Sequence, residues 1–406
     1  MRLLPCLALL ATAALPATAQ AAPRTCPWAT SWGSSQMVPN PDSTLPTGTL
    51  GGATLRQVVR LSIGGDGVRV RFSNAFGKTP LRIGSAVLGK PRTNATDALS
   101  AAGRALTFAG QPGVTIPAGA DWWSDPLPVS AAAFGDLAIS IFLPDEPGVQ
   151  TSHPGSRATS YVLKGDHVGD AMLPGATRTD HWFFLSGVEV RRCGGAKGVV
   201  ALGDSITDGY GVKPNTNARW TDAFARRLGG RVAVVNQGIG GNRILLDGLG
   251  PSAIARFERD VLSQAGIGHI ILLEGINDIG VLQREAPATA AAQDALIASV
   301  TAGYAQMVAR AHDRGIKVYG GTVMPFAANG YYHPDAGSER MRQAINAWIR
   351  TPGHFDGVID FDRAMADPKR PDRLAPAYDS GDGLHPSMAG YAAMAELVPT
   401  GWFVGK

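Results

Sequence analysis

Cysteine is scarce: the 406 residues hold three, Cys6, Cys26 and Cys193. None lies at metal-ligand spacing from another sulfur or a histidine, which excludes a cysteine-built zinc site, and three thiols are too few for a disulfide scaffold. Long apolar runs are missing beyond the first twenty or so positions, so no later segment reads as a membrane span. Charge is thin at 17%, and the basic residues behind the formal net charge of +4 are scattered. No basic stripe suited to nucleic acid is present. Hydrophobic residues make up 45%, which suffices for packed cores in a chain of this length and leaves no bias toward disorder.

The amino end carries Met1-Arg2, an apolar run from Leu3 to Ala14, and the small-x-small tripeptide Ala17-Thr18-Ala19. This pattern predicts an export signal over residues 1–22 and a secreted or periplasmic mature protein. A membrane anchor would need about 18 apolar residues, and Pro5 and Pro16 interrupt the run. Removal of the signal takes Cys6 with it. Cys26 and Cys193 then meet an oxidising compartment and can pair only with each other, which predicts a disulfide at the base of the region between them.

Residues 23–193 show short alternating segments set off by turn residues, with no convincing helix. Leu55 to Ile63, the turn Gly64-Gly65-Asp66-Gly67 and Val68 to Phe72 read as a β-hairpin. Leu81 to Leu88, Asp136 to Leu143, Ser160 to Leu163 and Trp182 to Val190 continue the pattern. The expected architecture is an antiparallel β-sandwich of jelly-roll type, an accessory domain. Its aromatic residues Trp122, Trp123, Trp182 and Phe183 are open to two readings, a sugar-stacking face or core packing, and core packing is preferred.

After Cys193-Gly194-Gly195 the pattern shifts to strands alternating with helices, and residues 194–406 read as a doubly wound α/β domain with a parallel sheet. Strands are expected at 198–202, 232–236, 267–274, 318–324 and 358–361. Ligands of such a sheet bind beyond the carboxyl ends of its strands. Residues with chemistry follow the strands. Gly203-Asp204-Ser205 ends the first, Gly238-Ile239-Gly240-Gly241-Asn242 follows the second, Gly275-Ile276-Asn277-Asp278 the third, and Asp382-Gly383-Leu384-His385-Pro386 lies near the carboxyl end. Pro386 disfavours a helical His385 and suits the first position of the next helix.

These four blocks, in this order, resemble the SGNH (GDSL-like) hydrolase superfamily across the second half of the chain. Within it the chain is most similar to secreted bacterial acetylesterase-like members with an amino-terminal β domain. The resemblance implies a flavodoxin-like catalytic domain and hydrolysis of short-chain acyl esters, acetyl first, on polysaccharides such as xylan or pectin. It implies a nucleophile Ser205, a base His385 and a carboxylate Asp382, with Asp379 and Asp362 left open by the residues alone. The oxyanion would be held by the Ser205 and Gly241 N–H groups and the Asn277 side chain. No cofactor or metal is expected, and the partner is an acylated carbohydrate or a small ester. Arg243 and His333 are candidates for contacting substrate, while His153, His167, His181, His269, His312 and His354 read as mostly surface or loop residues. Two rival readings are a lipase, arylesterase or lysophospholipase of the same superfamily, and a catalytically idle carbohydrate-binding protein.

Overall fold

The computed structural model describes residues 26–195 and 197–404, so the expected export signal at residues 1–22 lies outside the described part. Besides two short two-stranded sheets, the chain up to Arg191 builds two larger antiparallel ones. One has four strands, in spatial order Trp28–Gly33, Leu185–Arg191, Val68–Ser73 and Asp121–Trp123. The other has six, in the order Thr177–Thr179, Ser160–Lys164, Ala53–Arg60, Asp136–Leu143, Ser85–Gly89 and Arg104–Ala105. Every second residue points inward, as the two-residue period of a strand requires. Val68, Val70 and Phe72 meet Leu55, Val59, Ile139 and Ile141 in one buried cluster, and the two sheets form a sandwich.

The expected hairpin at residues 55–72 is not formed. Ala53–Arg60 lies in the six-stranded sheet and Val68–Ser73 in the four-stranded one, so the glycine-rich stretch between them carries the chain across the sandwich. Its backbone groups are used elsewhere. Leu61 N–H donates to Gly135 O and Gly65 N–H to Ala131 O, while Asp66 N–H donates to Arg191 O. A turn-rich spacer between two alternating runs specifies reversal of the chain but not which sheet receives the second run.

The second half forms a five-stranded parallel sheet in the order Val234–Gly238, Gly198–Gly203, Ile267–Leu273, Lys317–Gly321 and Gly357–Ile359. In chain rank this is 2-1-3-4-5, the flavodoxin-like arrangement, whose crevice opens where the first and third strands part. Helices cover both faces, which is why Val199 to Leu202 are fully buried without alternation. Register fixes the level of the catalytic edge. Gly203 stands opposite Gly238 on one side and Leu273 on the other, so Ser205, Gly241 and Asn277 emerge two to four residues later at one rim.

The sandwich and the α/β half share an extensive junction. Thr30 N–H donates to Ala265 O at 3.0 Å, Val234 N–H to Ser62 Oγ at 3.1 Å, and Ser35 Oγ–H to Gln237 Oε1 at 2.7 Å. Cys26 and Cys193 form a disulfide just outside the paired residues Trp28 and Arg191, tying together the first and last strands of the sandwich. Among the described residues no helix is long and apolar enough to cross a membrane.

Candidate active site

Ser205 begins a four-residue helix, Ser205–Asp208, at the end of the first parallel strand. Asp204 caps it, its carboxylate accepting from Ile206 N–H at 2.9 Å, so the backbone turns sharply and leaves the serine hydroxyl at the rim. His385 comes from the loop before the last long helix, Met388–Leu397. Its Nε2 lies 2.8 Å from Ser205 Oγ, and its Nδ1 lies 2.6 Å from Asp382 Oδ2. With Nδ1–H donating to the carboxylate, Nε2 is left to accept the serine proton.

Asp382 is itself held by N–H groups, from His385 at 2.8 Å and Leu384 at 2.9 Å. Burial works to raise its pKa, but these bonds and the one from the imidazole outweigh it and hold the carboxyl well below the usual carboxylate range. The other two carboxylates left open by the sequence have different partners. Asp379 accepts from Gly381 and Gly383 N–H and shapes the turn. Asp362 is buried between Arg342 and Arg350.

The third strand leads into a helix, Ile276–Gln283, and Asn277 sits in its first turn. Its amide is fixed at both ends: Nδ2–H donates to Asn242 O at 2.8 Å, and Oδ1 accepts from Tyr332 O–H at 2.7 Å. One hydrogen on Nδ2 remains for an incoming oxygen. Gly241 has φ +75°, a backbone conformation that L side chains rarely adopt, and a Cβ there would also displace the Leu249 side chain, whose Cδ1 would stand 2.5 Å away. Tyr332 was missed by a reading that chose its neighbour His333, which is exposed and has φ +49°. Arg243 lies just past the glycine turn, its guanidinium donating to the carbonyl of Asp247.

Behind the serine lies a buried acidic group. Burial pushes Asp204 up to about 7, with the Asp278 charge adding to it, and pushes Asp278 up to about 6. Glu274 is fully buried, and both its carboxylate oxygens lack a hydrogen-bond partner among the described residues. Burial raises its pKa well above the ordinary value, while the Arg256 guanidinium, with Nη2 3.5 Å from Oε1, opposes that rise. Arg256 organises the surroundings, donating to Asn242 Oδ1 at 2.9 Å, Gln237 O at 2.7 Å and Gly203 O at 3.0 Å. One buried guanidinium thus ties the first strand to the glycine turn.

The sandwich reaches the same helix. His153, expected at the surface, is 4% exposed; its Nδ1 lies 2.8 Å from Ser35 O and its Nε2 2.9 Å from Asp208 Oδ1. The approach depends on Gly155, where a Cβ would stand 1.8 Å from Asp208 Oδ2. Arg219 completes the junction, bonding Asp208 O at 3.2 Å and the carbonyl of Ser156. Of the aromatic residues considered for sugar stacking, Trp182 and Phe183 are buried, and Trp182 packs edge-on against Trp32. Trp122 is 40% exposed, and Trp123 lies beneath Arg69. A cavity of about 70 Å³ between Trp32, His153, Asp208 and Arg219 is not lined by Ser205 or His385.

Residues 201–393 match the GDSL-like Lipase/Acylhydrolase family, so this part of the chain is a GDSL-like domain. Solved structures with a similar fold include a GDSL-like lipase from Bacteroides thetaiotaomicron, at 21% identity over 50% of this chain and 85% of that one, with a TM-score of 0.38. They also include a catalytic mutant of an acetylxylan esterase from Geobacillus stearothermophilus, at 20% identity over 50% of this chain and 93% of that one, TM-score 0.38. No curated protein sequence matches the chain.

Proposed function

We propose that the protein is an exported serine esterase that removes short acyl groups, acetyl first, from carbohydrate. The observation that carries this reading is the chain of contacts from Ser205 Oγ to His385 Nε2 at 2.8 Å and from His385 Nδ1 to Asp382 at 2.6 Å. Ser205 attacks the ester carbonyl as its proton passes to His385, and the Asp382 carboxylate holds the imidazole in the tautomer that can accept it. The oxygen that becomes negative is met by the N–H groups of Ser205 and Gly241 and by the free Nδ2 hydrogen of Asn277. His385 then returns the proton to the leaving alcohol. Water, deprotonated by the same histidine, hydrolyses the acyl-enzyme.

Leu249 packs over Gly241, beside the oxyanion donors, which supports a small acyl group. The disulfide is compatible with export. We take residues 23–193 and 194–406 as the accessory and catalytic domains of this enzyme. The test is kcat/KM across p-nitrophenyl esters of increasing chain length: it should be highest for acetate and fall by octanoate, and Ser205→Ala should abolish it. A maximum at octanoate would favour the lipase reading, and turnover surviving in Ser205→Ala would remove the mechanism.

A further inference from the structure

Arg219 and Arg256, near this site, have carboxylate partners, and Arg157 has none among the described residues. Its Nε is buried without an acceptor among the described residues. The acidic groups of its neighbourhood are already engaged: Asp208 with His153, Asp222 with Arg219 and Asp382 with His385. A buried donor left unmatched is costly, and in a native structure it calls for a partner.

The position of Arg157 is closely determined. It lies in the sandwich half, in the left-handed region with φ +47°. Its carbonyl accepts from Asn215 N–H at 2.9 Å, and the preceding carbonyl accepts from Arg219. The guanidinium carbon stands 5.4 Å from the centre of the Tyr210 ring. Tyr210 in turn stacks on His385, with ring centres 4.1 Å apart and planes at 29°. Tyr210 is fixed by its N–H to Ser205 O and by Tyr391 O–H to its own carbonyl, both at 2.8 Å. One aromatic ring therefore separates Arg157 from the catalytic imidazole.

The chemistry decides which part of a substrate this cation meets. The carbonyl oxygen must face Gly241 and Asn277, whereas the leaving oxygen must approach His385 to receive its proton. The alcohol part of the ester consequently lies on the Tyr210 and Arg157 side. A guanidinium with unspent donors at that place suits a carboxylate, which it can bind through two parallel hydrogen bonds. Arg243, beside the oxyanion donors, also has no carboxylate partner among the described residues and holds only a backbone carbonyl, so both flanks of the site are cationic.

We propose that Arg157 is a specificity-determining residue that binds a carboxylate on the alcohol part of the ester, so that the enzyme prefers acylated acidic alcohols to neutral ones. An acylated uronic acid is the carbohydrate case. The inference rests on the serine-esterase reading above. A matched pair of probes tests it: 4-acetoxybenzoate and its methyl ester, whose leaving groups differ by one carboxylate. Each kcat/KM is divided by that ester's hydroxide-catalysed rate to remove intrinsic reactivity. The wild-type ratio should favour the anion by about tenfold or more, the scale of a charge-assisted bidentate contact, and should fall with added salt. Arg157→Ala should bring the ratio near one, Arg157→Lys should keep part of it, and Arg157→Glu should reverse it. A wild-type ratio at or below one, or an equal ratio in wild type and Arg157→Ala, overturns the assignment of Arg157 and leaves the esterase reading standing. Hydrolysis of neither ester by the wild type overturns the esterase reading itself.

Discussion

Asn277 illustrates how much of this site depends on hydrogen-bond orientation at single residues. An asparagine amide can turn over and present its oxygen, which would repel a developing oxyanion; the Asn242 carbonyl, which can only accept, forbids that by holding Nδ2, and the Tyr332 hydroxyl donating to Oδ1 anchors the other end. Asn277→Ala should lower kcat by roughly 10²–10³, the usual loss for one oxyanion donor, with a smaller change in KM. Tyr332→Phe keeps the amide and its bond to Asn242 O but removes the anchor on Oδ1, and kcat should drop about tenfold. Steady-state kinetics check both, and an unchanged kcat in Tyr332→Phe would detach the tyrosine from the mechanism. Asp278 gives a residue-level prediction of a different kind. Its carboxyl is raised by burial to about 6, so the folded state holds a proton that the unfolded state releases near pH 4. Stability from this group is therefore present at low pH and is lost as pH rises through about 6. Asp278→Asn should remove that loss, narrowing the fall in unfolding free energy between pH 5 and 8 by about 1.4 kcal/mol. Urea titrations at the two pH values measure it, and parallel profiles for both proteins would contradict the buried-acid account.

At the scale of elements, the segment around the nucleophile is short and is held from outside. A four-residue helix has little stability of its own, and Ser205–Asp208 is braced at its far end by His153 from the sandwich. His153→Ala would leave Asp208 buried and unpaired, at a cost of about 3 kcal/mol, and kcat should fall because the helix that carries Ser205 loses its brace. Equal stability in denaturant for variant and wild type would show the pair to be inert. This contact had no signal in the sequence, since His153 lies in an unremarkable stretch and its partner is 55 residues away. The parallel strands were legible because both faces are covered and each reads as an unbroken apolar run ending in glycine or polar residues. The helix at Ile276–Gln283 was not, since Gly275 before it and the asparagine in its first turn both mimic a loop. The strands of the sandwich were legible by alternation, but their pairing was not: the 55–72 stretch crosses between sheets through contacts with residues 131, 135 and 191, which local pattern cannot encode.

At the scale of the whole molecule, the sandwich acts as a fixed wall of the catalytic half. The Cys26–Cys193 bridge spans 167 positions, and chain-entropy arithmetic for so long a loop gives a stabilisation of up to about 5 kcal/mol. Replacing both cysteines by serine should lower the unfolding free energy by a large part of that figure. Unchanged stability in urea would mean that the strand pairing and the interface already do the same work. Three of the four blocks were legible because each follows a strand of one sheet, and the fourth, Asp382 to His385, because Pro386 marks the loop before the last long helix. The residues that connect the halves, Arg157, Tyr210 and Arg219, were not singled out, because their meaning depends on the docking of a separate sandwich. The central claim, that Ser205 is the nucleophile activated by His385, is tested most directly by covalent trapping. The enzyme is treated with a fluorophosphonate, digested, and its peptides analysed by mass spectrometry. A single phosphonylated peptide containing Ser205, formed as esterase activity disappears and absent in His385→Ala, is the result predicted. Labelling of another residue with loss of activity, or full inactivation without a Ser205 adduct, would contradict the account.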